Sequence, residues 1–263
     1  MDYPEFQRRL AQIKGMGYVQ SHRKGDTGIG KTLEDLLGIT ENNIAGPDFA
    51  TYELKSARKD TPSMITLFTK APRPRAVNTI LRETYGHMVK VEIEASTRHR
   101  HSDKDKNQTT LFGERATQSA KDVKFIEDLE LHTTVDAVRY NNLDFKIDIG
   151  EDKISLLNKK NIEVYWDKEL LKTTFEEKYH KLAYVLAESK TPDGKEYFWF
   201  NEGYLLDGFS FERFTEHLQD GTLKVDVRLG HNPDGSRHDH GTGFRIMERY
   251  LPHCFKQVAK MSF

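Results

Sequence analysis

Residues 25–58, GDTGIGKTLEDLLGITENNIAGPDFATYELKSAR, contain two signals that lead to different folds. The first signal is formed by Gly25, Gly30, Lys31 and Thr32, which fit the phosphate-binding loop of nucleotide hydrolases. In such a loop, backbone N–H groups and the lysine surround the phosphates of a nucleotide. The second signal lies further along the stretch and predicts a different chemistry.

The sequence on either side of the first signal does not suit a phosphate-binding loop. Such a loop connects a buried apolar strand to a helix whose amino end faces the anion. Residues 18–24, YVQSHRK, are too polar for a central parallel strand, and the helical pattern after Lys31 ends at Leu37, before Gly38. We therefore interpret residues 25–32 as a structural turn, with nucleotide hydrolysis as the weaker alternative.

The second signal consists of Asp48, which follows a Gly-Pro corner, and Glu53-Leu54-Lys55 in a strand predicted over residues 51–56. Side chains alternate along a strand, so Glu53 and Lys55 share a face toward which Asp48 can turn. Two carboxylates and the Leu54 carbonyl form an oxygen-rich site suited to Mg²⁺. A lysine beside the metal can orient or deprotonate the attacking water and offset charge on a phosphate. The alternative is an exposed strand face with an ordinary Glu–Lys pair.

Several blocks along the chain occur in a family-specific order: GIGKTLEDLLGI, GPD, ELK, MITLFTKAPRPRAVNTILRETYG, LKVDVRLG and HDHGTGFRI. This order resembles the MvaI-type restriction endonucleases, relatives of the mismatch-repair nicking enzyme MutH among the PD-(D/E)XK nucleases, and it covers most of the chain. The resemblance implies an α/β fold, with a mixed central sheet flanked by helices and a second, recognition lobe. It also implies catalytic roles for Asp48, Glu53 and Lys55, with Glu34 helping to hold the metal.

The resemblance further implies a type II restriction endonuclease, which hydrolyses double-stranded DNA with Mg²⁺ at a short G·C-rich site of the CC…GG kind. It implies a monomer that nicks the two strands in turn and has a cognate DNA methyltransferase as its genetic partner. Two alternatives remain open. A MutH-like repair enzyme would nick one strand and depend on a partner protein, whereas a nucleotide hydrolase would use Lys31 and Thr32.

Residues 70–75, KAPRPR, carry Lys70, Arg73 and Arg75 on a loop stiffened by prolines. Stiff, exposed cations near a phosphodiesterase centre are plausible contacts to the DNA backbone, which position DNA without specifying its sequence. The alternative is a loop that only aids solubility. Together with the resemblance, this pattern favours DNA contact.

A strand predicted over residues 223–229 alternates apolar with polar positions and therefore places Asp226 and Arg228 on its outer face. An aspartate can accept from the cytosine amino group and an arginine can donate twice to guanine, so the pair could read a G·C pair in the major groove. A cross-strand ion pair is the alternative.

The segment RHDHG at residues 237–241 resembles part of a zinc ligand set, with His238, Asp239 and His240 close together. A cysteine or third histidine at a typical spacing is missing from the sequence, which makes zinc the weaker interpretation. The resemblance instead places these three residues, together with Arg245, in the DNA major groove.

Composition limits the possible partners. The chain has 40 Lys and Arg against 41 Asp and Glu, a formal net charge of −1, so any DNA-binding surface has to be local. Its single cysteine, Cys254, excludes a disulfide framework and suits a reducing compartment. We found no signal peptide or membrane-spanning pattern in the sequence and expect a cytoplasmic protein without a membrane partner.

We predict three regions: a catalytic lobe core over 1–95, a polar insertion or linker over 96–140, and a completion of the sheet with the recognition lobe over 141–263. The insertion includes residues 97–122, which lack apolar periodicity and are expected to form a loop that brushes DNA or is merely solvated. Further predicted elements are helices over 3–14, 77–85, 170–180 and 211–218, and strands over 63–69, 143–149, 153–157, 182–187 and 195–200.

Overall fold

The computed structural model describes residues 1–39, 51–59, 64–93, 124–179, 181–231 and 236–263, with the backbone alone for 92–93, 124 and 237–241. The helices are α1 Tyr3–Gly15, α2 Gly28–Leu37, α3 Val77–Tyr85, α4 Lys168–Glu176 and α5 Phe211–Gln219, with 3₁₀ helices at Pro192–Gly194 and Glu248–Cys254. The strands are β1 Val19–Gln20, β2 Glu53–Arg58, β3 Met64–Thr69, β4 His87–Ile93, β5 Lys124–Val135, β6 Lys146–Ile149, β7 Lys153–Leu157, β8 Tyr165–Asp167, β9 Lys181–Lys190, β10 Tyr197–Asp207, β11 Leu223–His231, β12 Arg237–Met247 and β13 Gln257–Lys260. The fold is α/β, as predicted.

The first sheet is mixed. Its strand order is β1-β10-β9-β2, and β13 also pairs with β10. Strand β2 runs parallel to β9, whereas β1, β9 and β13 are all antiparallel to β10. Because β2 stands last in this order, the strand that carries Glu53 and Lys55 forms an edge of the sheet within the described residues.

The second sheet is antiparallel and has the order β3-β12-β11-β5-β4. Strands β2 and β3 are neighbours in sequence, yet they belong to different sheets. A third, small sheet has the order β6-β7-β8 and contains the hairpin predicted around residue 150. The early and late parts of the chain are therefore interleaved in the two larger sheets.

Two hydrophobic cores lie on opposite faces of the first sheet. The smaller core joins α1 and α2 to the face that includes Leu54, Ala183 and Val185. The larger core lies on the other face, which includes Ala57 and Leu182, and extends to the second sheet and the helices α3 to α5. Alternation along β2 thus sends successive side chains toward different cores.

Helices α1 and α2 follow their sequence signals closely. The Asp2 carboxylate accepts from the Glu5 backbone N–H at 2.9 Å and so caps α1, whose inner face buries the predicted residues Phe6, Leu10 and Ile13. Helix α2 ends before Gly38, whose φ of 70° is a left-handed conformation that glycine adopts without steric strain. The predicted stop is confirmed.

The helix predicted over 170–180 is observed at Lys168–Glu176, the strand predicted over 195–200 is observed at Tyr197–Asp207, and two further regions differ more from the sequence prediction. The strand expected over 143–149 begins only at Lys146, because the Asn141 side chain accepts from the N–H groups of Leu143 and Phe145 and holds a turn there. Strand β5 lies within the region predicted as a polar insertion and pairs with β11 on one side and β4 on the other. Residues 97–122 lie outside the described residues, and no helix in the described ranges is long and apolar enough to cross a membrane.

Candidate active site and recognition groove

Glu53 and Lys55 lie on one face of the edge strand β2, as the period of two predicts. The Lys55 Nζ is 2.9 Å from the Glu53 Oε1, and the side chains are 25% and 6% exposed, respectively. A carboxylate this well buried needs a charged or hydrogen-bonded partner, and Lys55 provides one. The pair therefore has a fixed geometry at the rim of the larger core.

The Leu54 carbonyl faces the open edge of the first sheet. The Lys59 N–H donates to the Ala187 carbonyl at 2.8 Å, which shows that the odd-numbered residues of this strand direct their backbone groups toward β9. Because the direction alternates along a strand, the backbone groups of Leu54 point away from β9. A backbone oxygen is thus presented beside the Glu53 and Lys55 pair.

Glu34 lies on α2 and lines the same cavity as Leu54 and Lys55. This cavity has a volume of about 320 Å³ and lies between α2 and the open edge of β2, and we call it the active-site cavity. The structure therefore brings Glu34, Leu54 and Lys55 together, with Glu53 in contact with Lys55. Asp48 lies outside the described residues. Among the residues that are described, no group of three or more His, Cys, Asp or Glu side chains could hold a metal ion.

The GIGKT segment is helical rather than a loop. Helix α2 begins at Gly28, so Lys31 and Thr32 lie in its first turns. The Lys31 Nζ lies 2.8 Å from the Asp35 carboxylate, and the buried Thr32 hydroxyl donates to the Gly28 carbonyl and accepts from the His22 N–H. The strand before it, β1, is two residues long and antiparallel to β10. This is not the buried parallel strand that a phosphate-binding loop requires. The turn that we predicted over 25–32 was five residues too long, because residues 28–32 are helical.

Arg58 fixes α2 relative to β2. Its guanidinium binds the Glu196 carboxylate through two hydrogen bonds of 2.6 and 2.8 Å, and contacts the Gly25 and Asp26 carbonyls at 3.3 Å. The hydrogen bond with Glu196 raises the pKa of Arg58 above its usual value. One arginine at the end of β2 thus holds the chain that leads into the helix of Glu34.

The second cluster of predicted residues lies on β11 and β12. Asp226 is buried, and its Oδ2 accepts from the Arg228 Nε at 2.6 Å and from the Arg245 Nη1 at 2.7 Å. Its Oδ1 accepts from the Thr134 hydroxyl at 2.8 Å. Asp226 and Arg228 lie together on the face opposite the apolar residues of β11, as predicted, but Asp226 is not exposed, because the two arginines and Thr134 cover it. The predicted alternative, an ion pair, is present.

Arg228 and Arg245 differ in how much of each guanidinium is engaged. Arg245 is 16% exposed and also donates to the Met64 carbonyl at 2.6 Å, so both of its terminal nitrogens are bound. Arg228 is 42% exposed and is held through Nε, and its terminal nitrogens make no hydrogen bond with the described residues. A guanidinium that is fixed at Nε, and whose two terminal nitrogens are not bound by the described residues, suits a bidentate acceptor.

Sequence reasoning missed the contribution of β5 to this cluster. A groove of about 620 Å³ is lined by Asp226, Arg228 and Arg245 and by four residues that we did not predict, namely His132, Thr133, Thr134 and Asn142. We call it the recognition groove. The alternation of Leu129, Leu131, Thr133 and Val135 could have indicated the strand.

The remaining candidates are dispersed. For His238, Asp239 and His240 the structure describes the backbone alone, in which Asp239 pairs with Leu229. After β3, the Lys70 Nζ donates to the Thr174 hydroxyl at 3.0 Å, and the exposed Arg73 lies 3.2 Å from Asp167. Arg75 is exposed on the same loop. These three cations do not line the active-site cavity.

Comparisons with known proteins agree on one family. The structure of the MvaI restriction endonuclease with its cognate DNA substrate matches with 30% identity and a TM-score of 0.75, over 99% of each chain. The structure of MvaI in the absence of DNA matches with 29% identity and a TM-score of 0.50, over 100% of this chain and 99% of that one. None of the curated proteins matches significantly. The family model "MvaI/BcnI restriction endonuclease family" matches residues 7–255, and the chain therefore belongs to this family of restriction endonucleases.

Proposed function

We propose that the protein is a type II enzyme that hydrolyses phosphodiester bonds of double-stranded DNA with Mg²⁺, at a short G·C-rich site of the CC…GG kind. The observation that carries the proposal is the Glu53–Lys55 pair at an edge strand, with Glu34 beside Lys55 in one cavity. Similarity to MvaI, whose structure contains its cognate DNA substrate, supports DNA as the substrate, because the two chains are 30% identical over 99% of each.

The donor atoms at the active-site cavity fit a hard cation. Mg²⁺ takes oxygen ligands in an octahedral arrangement and keeps several waters. Glu34 and Leu54, which line the cavity, provide a carboxylate and a backbone carbonyl, and Glu53 provides a further carboxylate next to Lys55. We assign Asp48 as another ligand from its position in the family pattern. When bound, Mg²⁺ would supply Lewis-acid stabilisation of the negative charge on the reacting phosphate.

Lys55 has two roles in this proposal. Glu53 holds its ammonium group at 2.9 Å, which restricts the lysine to one side of the strand. From there, a neutral Lys55 amine can orient the attacking water and accept a proton from it. A charged Lys55 ammonium group can instead offset the negative charge that develops on the phosphate. The buried carboxylate of Glu53 therefore positions the lysine as well as providing an oxygen for the metal.

Base recognition is assigned to the recognition groove. Arg228 has two terminal nitrogens that can donate to guanine O6 and N7. Asp226 can give up its hydrogen bond from one of the two arginines and accept one from the cytosine amino group instead. Arg245 completes the set, and the family resemblance adds His238, Asp239 and His240 from β12. Lys70, Arg73 and Arg75 are assigned to the DNA backbone, where they would position the duplex without reading its sequence.

The predicted organisation remains part of the proposal. We propose a monomer whose catalytic lobe core, over 1–95, and sheet completion with recognition lobe, over 141–263, clasp the duplex, with a cognate methyltransferase protecting host DNA. The strand pairing supports close coupling of these regions, since β2 pairs with β9 and β3 with β12.

The test is digestion of unmethylated plasmid DNA with and without Mg²⁺, followed by sequencing of the ends. We expect double-strand breaks at one short sequence. Lys55→Ala and Asp48→Ala should abolish cleavage while binding of the cognate duplex in Ca²⁺ persists. Lys153→Ala, which changes a half-exposed strand lysine of the third sheet, should remain active. Cleavage by Lys55→Ala would refute the site, and nicks confined to one strand would favour a MutH-like enzyme.

A further inference from the structure

Gly30 lies in the middle of the helix face that α2 turns toward the active-site cavity. Thr27, Gly30 and Glu34 all line this cavity, and their spacing of three and four residues places them on one side of a helix. Leu54 and Ser56 line it from β2. Gly30 therefore faces the space in which the proposed chemistry takes place.

Neither packing nor backbone conformation requires glycine at residue 30. A Cβ placed on Gly30 would have the Ser56 Oγ as its nearest neighbour at 4.0 Å, which is an ordinary van der Waals distance. At Gly28, by contrast, a Cβ would lie 2.3 Å from the Arg23 carbonyl oxygen. The φ angle of Gly30 is not positive. Because alanine is a better helix former than glycine, Gly30 lowers the stability of α2 without a compensating contact inside the protein.

Ser56 lies directly beyond the missing side chain of Gly30. Its hydroxyl oxygen is buried and has no hydrogen-bond partner among the described residues. A buried hydroxyl without a partner is destabilising, and such groups in native proteins commonly meet a ligand or a water. Ser56 also lines the active-site cavity, and its hydroxyl lies next to the space that Gly30 leaves open.

The charges of the cavity suit a phosphodiester. Arg23, Lys31 and Lys55 contribute three cations to its lining beside the carboxylates of Asp26 and Glu34, and Lys31 and Lys55 also pair with Asp35 and Glu53. A DNA phosphate can thus lie beside the catalytic lysine without facing acidic groups alone. The hydroxyl of a serine is a good donor to a phosphate oxygen.

We propose that the sugar-phosphate backbone of DNA docks against α2 at Gly30, where a phosphate oxygen accepts a hydrogen bond from the Ser56 hydroxyl. This subsite holds the phosphodiester beside Glu34 and Lys55, and it rests on the nuclease function proposed above. Gly30 and Ser56 are positioning residues. Glycine is present at residue 30 because a methyl group there would separate the DNA from Ser56.

The experiment compares Gly30→Ala and Ser56→Ala with Gly15→Ala, a second helical glycine. A Cβ on Gly15, at the end of α1, meets nothing within 4 Å, and Gly15 lies outside the active-site cavity. We expect the melting temperature to hold or to rise by about 1–3 °C in both glycine variants. Only Gly30→Ala and Ser56→Ala should weaken binding of the cognate duplex in Ca²⁺, by about 10- to 100-fold, which corresponds to one hydrogen bond to a charged group.

The double variant Gly30→Ala/Ser56→Ala should bind no worse than the weaker of the two single variants, because both changes remove the same contact. Wild-type binding and single-turnover cleavage by Gly30→Ala would overturn the subsite, and so would a fall in its melting temperature, which would show that packing requires the glycine. A wild-type protein that leaves DNA intact would overturn the proposed function, and the subsite with it. If the wild-type protein cleaves DNA and the Gly30→Ala variant cleaves it equally well, the subsite is overturned while the proposed function stands.

Discussion

Arg228→Ala should distinguish sequence-specific from sequence-independent DNA binding more clearly than any other change in the recognition groove. The wild-type side chain is held by Asp226 through Nε, and its terminal nitrogens make no hydrogen bond with the described residues. Truncation removes both of these donors while Asp226 keeps its hydrogen bonds from Arg245 and Thr134. The fold should therefore tolerate the change.

The expected loss follows from the bidentate contact. A guanidinium that donates to guanine O6 and N7 discriminates against other bases by about 1–3 kcal/mol, or roughly 5- to 150-fold in affinity. Random DNA offers the same phosphates without the matching guanine, so its affinity should fall much less. The ratio of the two dissociation constants is therefore the diagnostic quantity.

The assay is a fluorescence anisotropy titration in Ca²⁺ at several salt concentrations. It uses the duplex identified by end sequencing and a scrambled duplex of the same composition. Lys224→Ala is the matched control, because Lys224 also lies on β11, two residues before Asp226, but its Nζ lies 3.4 Å from Asp136 and it does not line the groove. Equal losses on the two duplexes for Arg228→Ala would show that Arg228 does not read bases.

Three further predictions concern other parts of the protein. Arg73→Ala and Arg75→Ala should weaken binding to all sequences alike and lower the dependence of affinity on salt, as measured in the same titrations, and a sequence-selective loss would contradict their role. Lys31→Ala should leave cleavage independent of ATP, and binding of ATP by the wild type that this variant loses would restore the nucleotide hypothesis. A hydrogen bond from Lys59, aided by Tyr204, lowers the pKa of Glu202 from 4.5 to about 2, so its contribution to stability is present above about pH 4.5 and is lost as the pH falls toward 2. Chemical denaturation should therefore show Glu202→Gln to be less stable than wild type at neutral pH and equal to it near pH 2, and a difference that persists at pH 2 would refute this assignment.

The sequence predicted the strand of Glu53 and Lys55 well because its signals are local. Alternation alone places Glu53 and Lys55 on one face, and Gly38 ends α2 wherever the helix packs. The helix over Val77–Tyr85 was predicted with its observed bounds for the same reason. These features depend on neighbours within a few residues, which a sequence displays directly.

The burial of Asp226 was not predictable in the same way. Alternation correctly placed it opposite the apolar residues of β11, but the groups that cover it come from β5 and β12. The partners of a strand are set by the whole topology, and β5 itself was missed because charged residues interrupt its apolar pattern. The strand predicted over 143–149 failed for a local reason instead. The Asn141 side chain accepts from the Leu143 N–H and holds a turn in which Asp144 has a φ of 57°, and this turn interrupts an otherwise regular alternation.

The pairing of β2 has a consequence for the time course of synthesis. Its neighbour in the first sheet is β9, which begins at Lys181, far along the chain from Arg58. With translation at about 5–20 residues per second, the strand of Glu53 and Lys55 waits several seconds on the ribosome before β9 emerges. A nascent or truncated chain that stops before β9 therefore lacks the strand that pairs with β2 in the first sheet. A fragment that ends before β9 should therefore be inactive, since Glu53 and Lys55 would lie on a strand without its partner in the sheet.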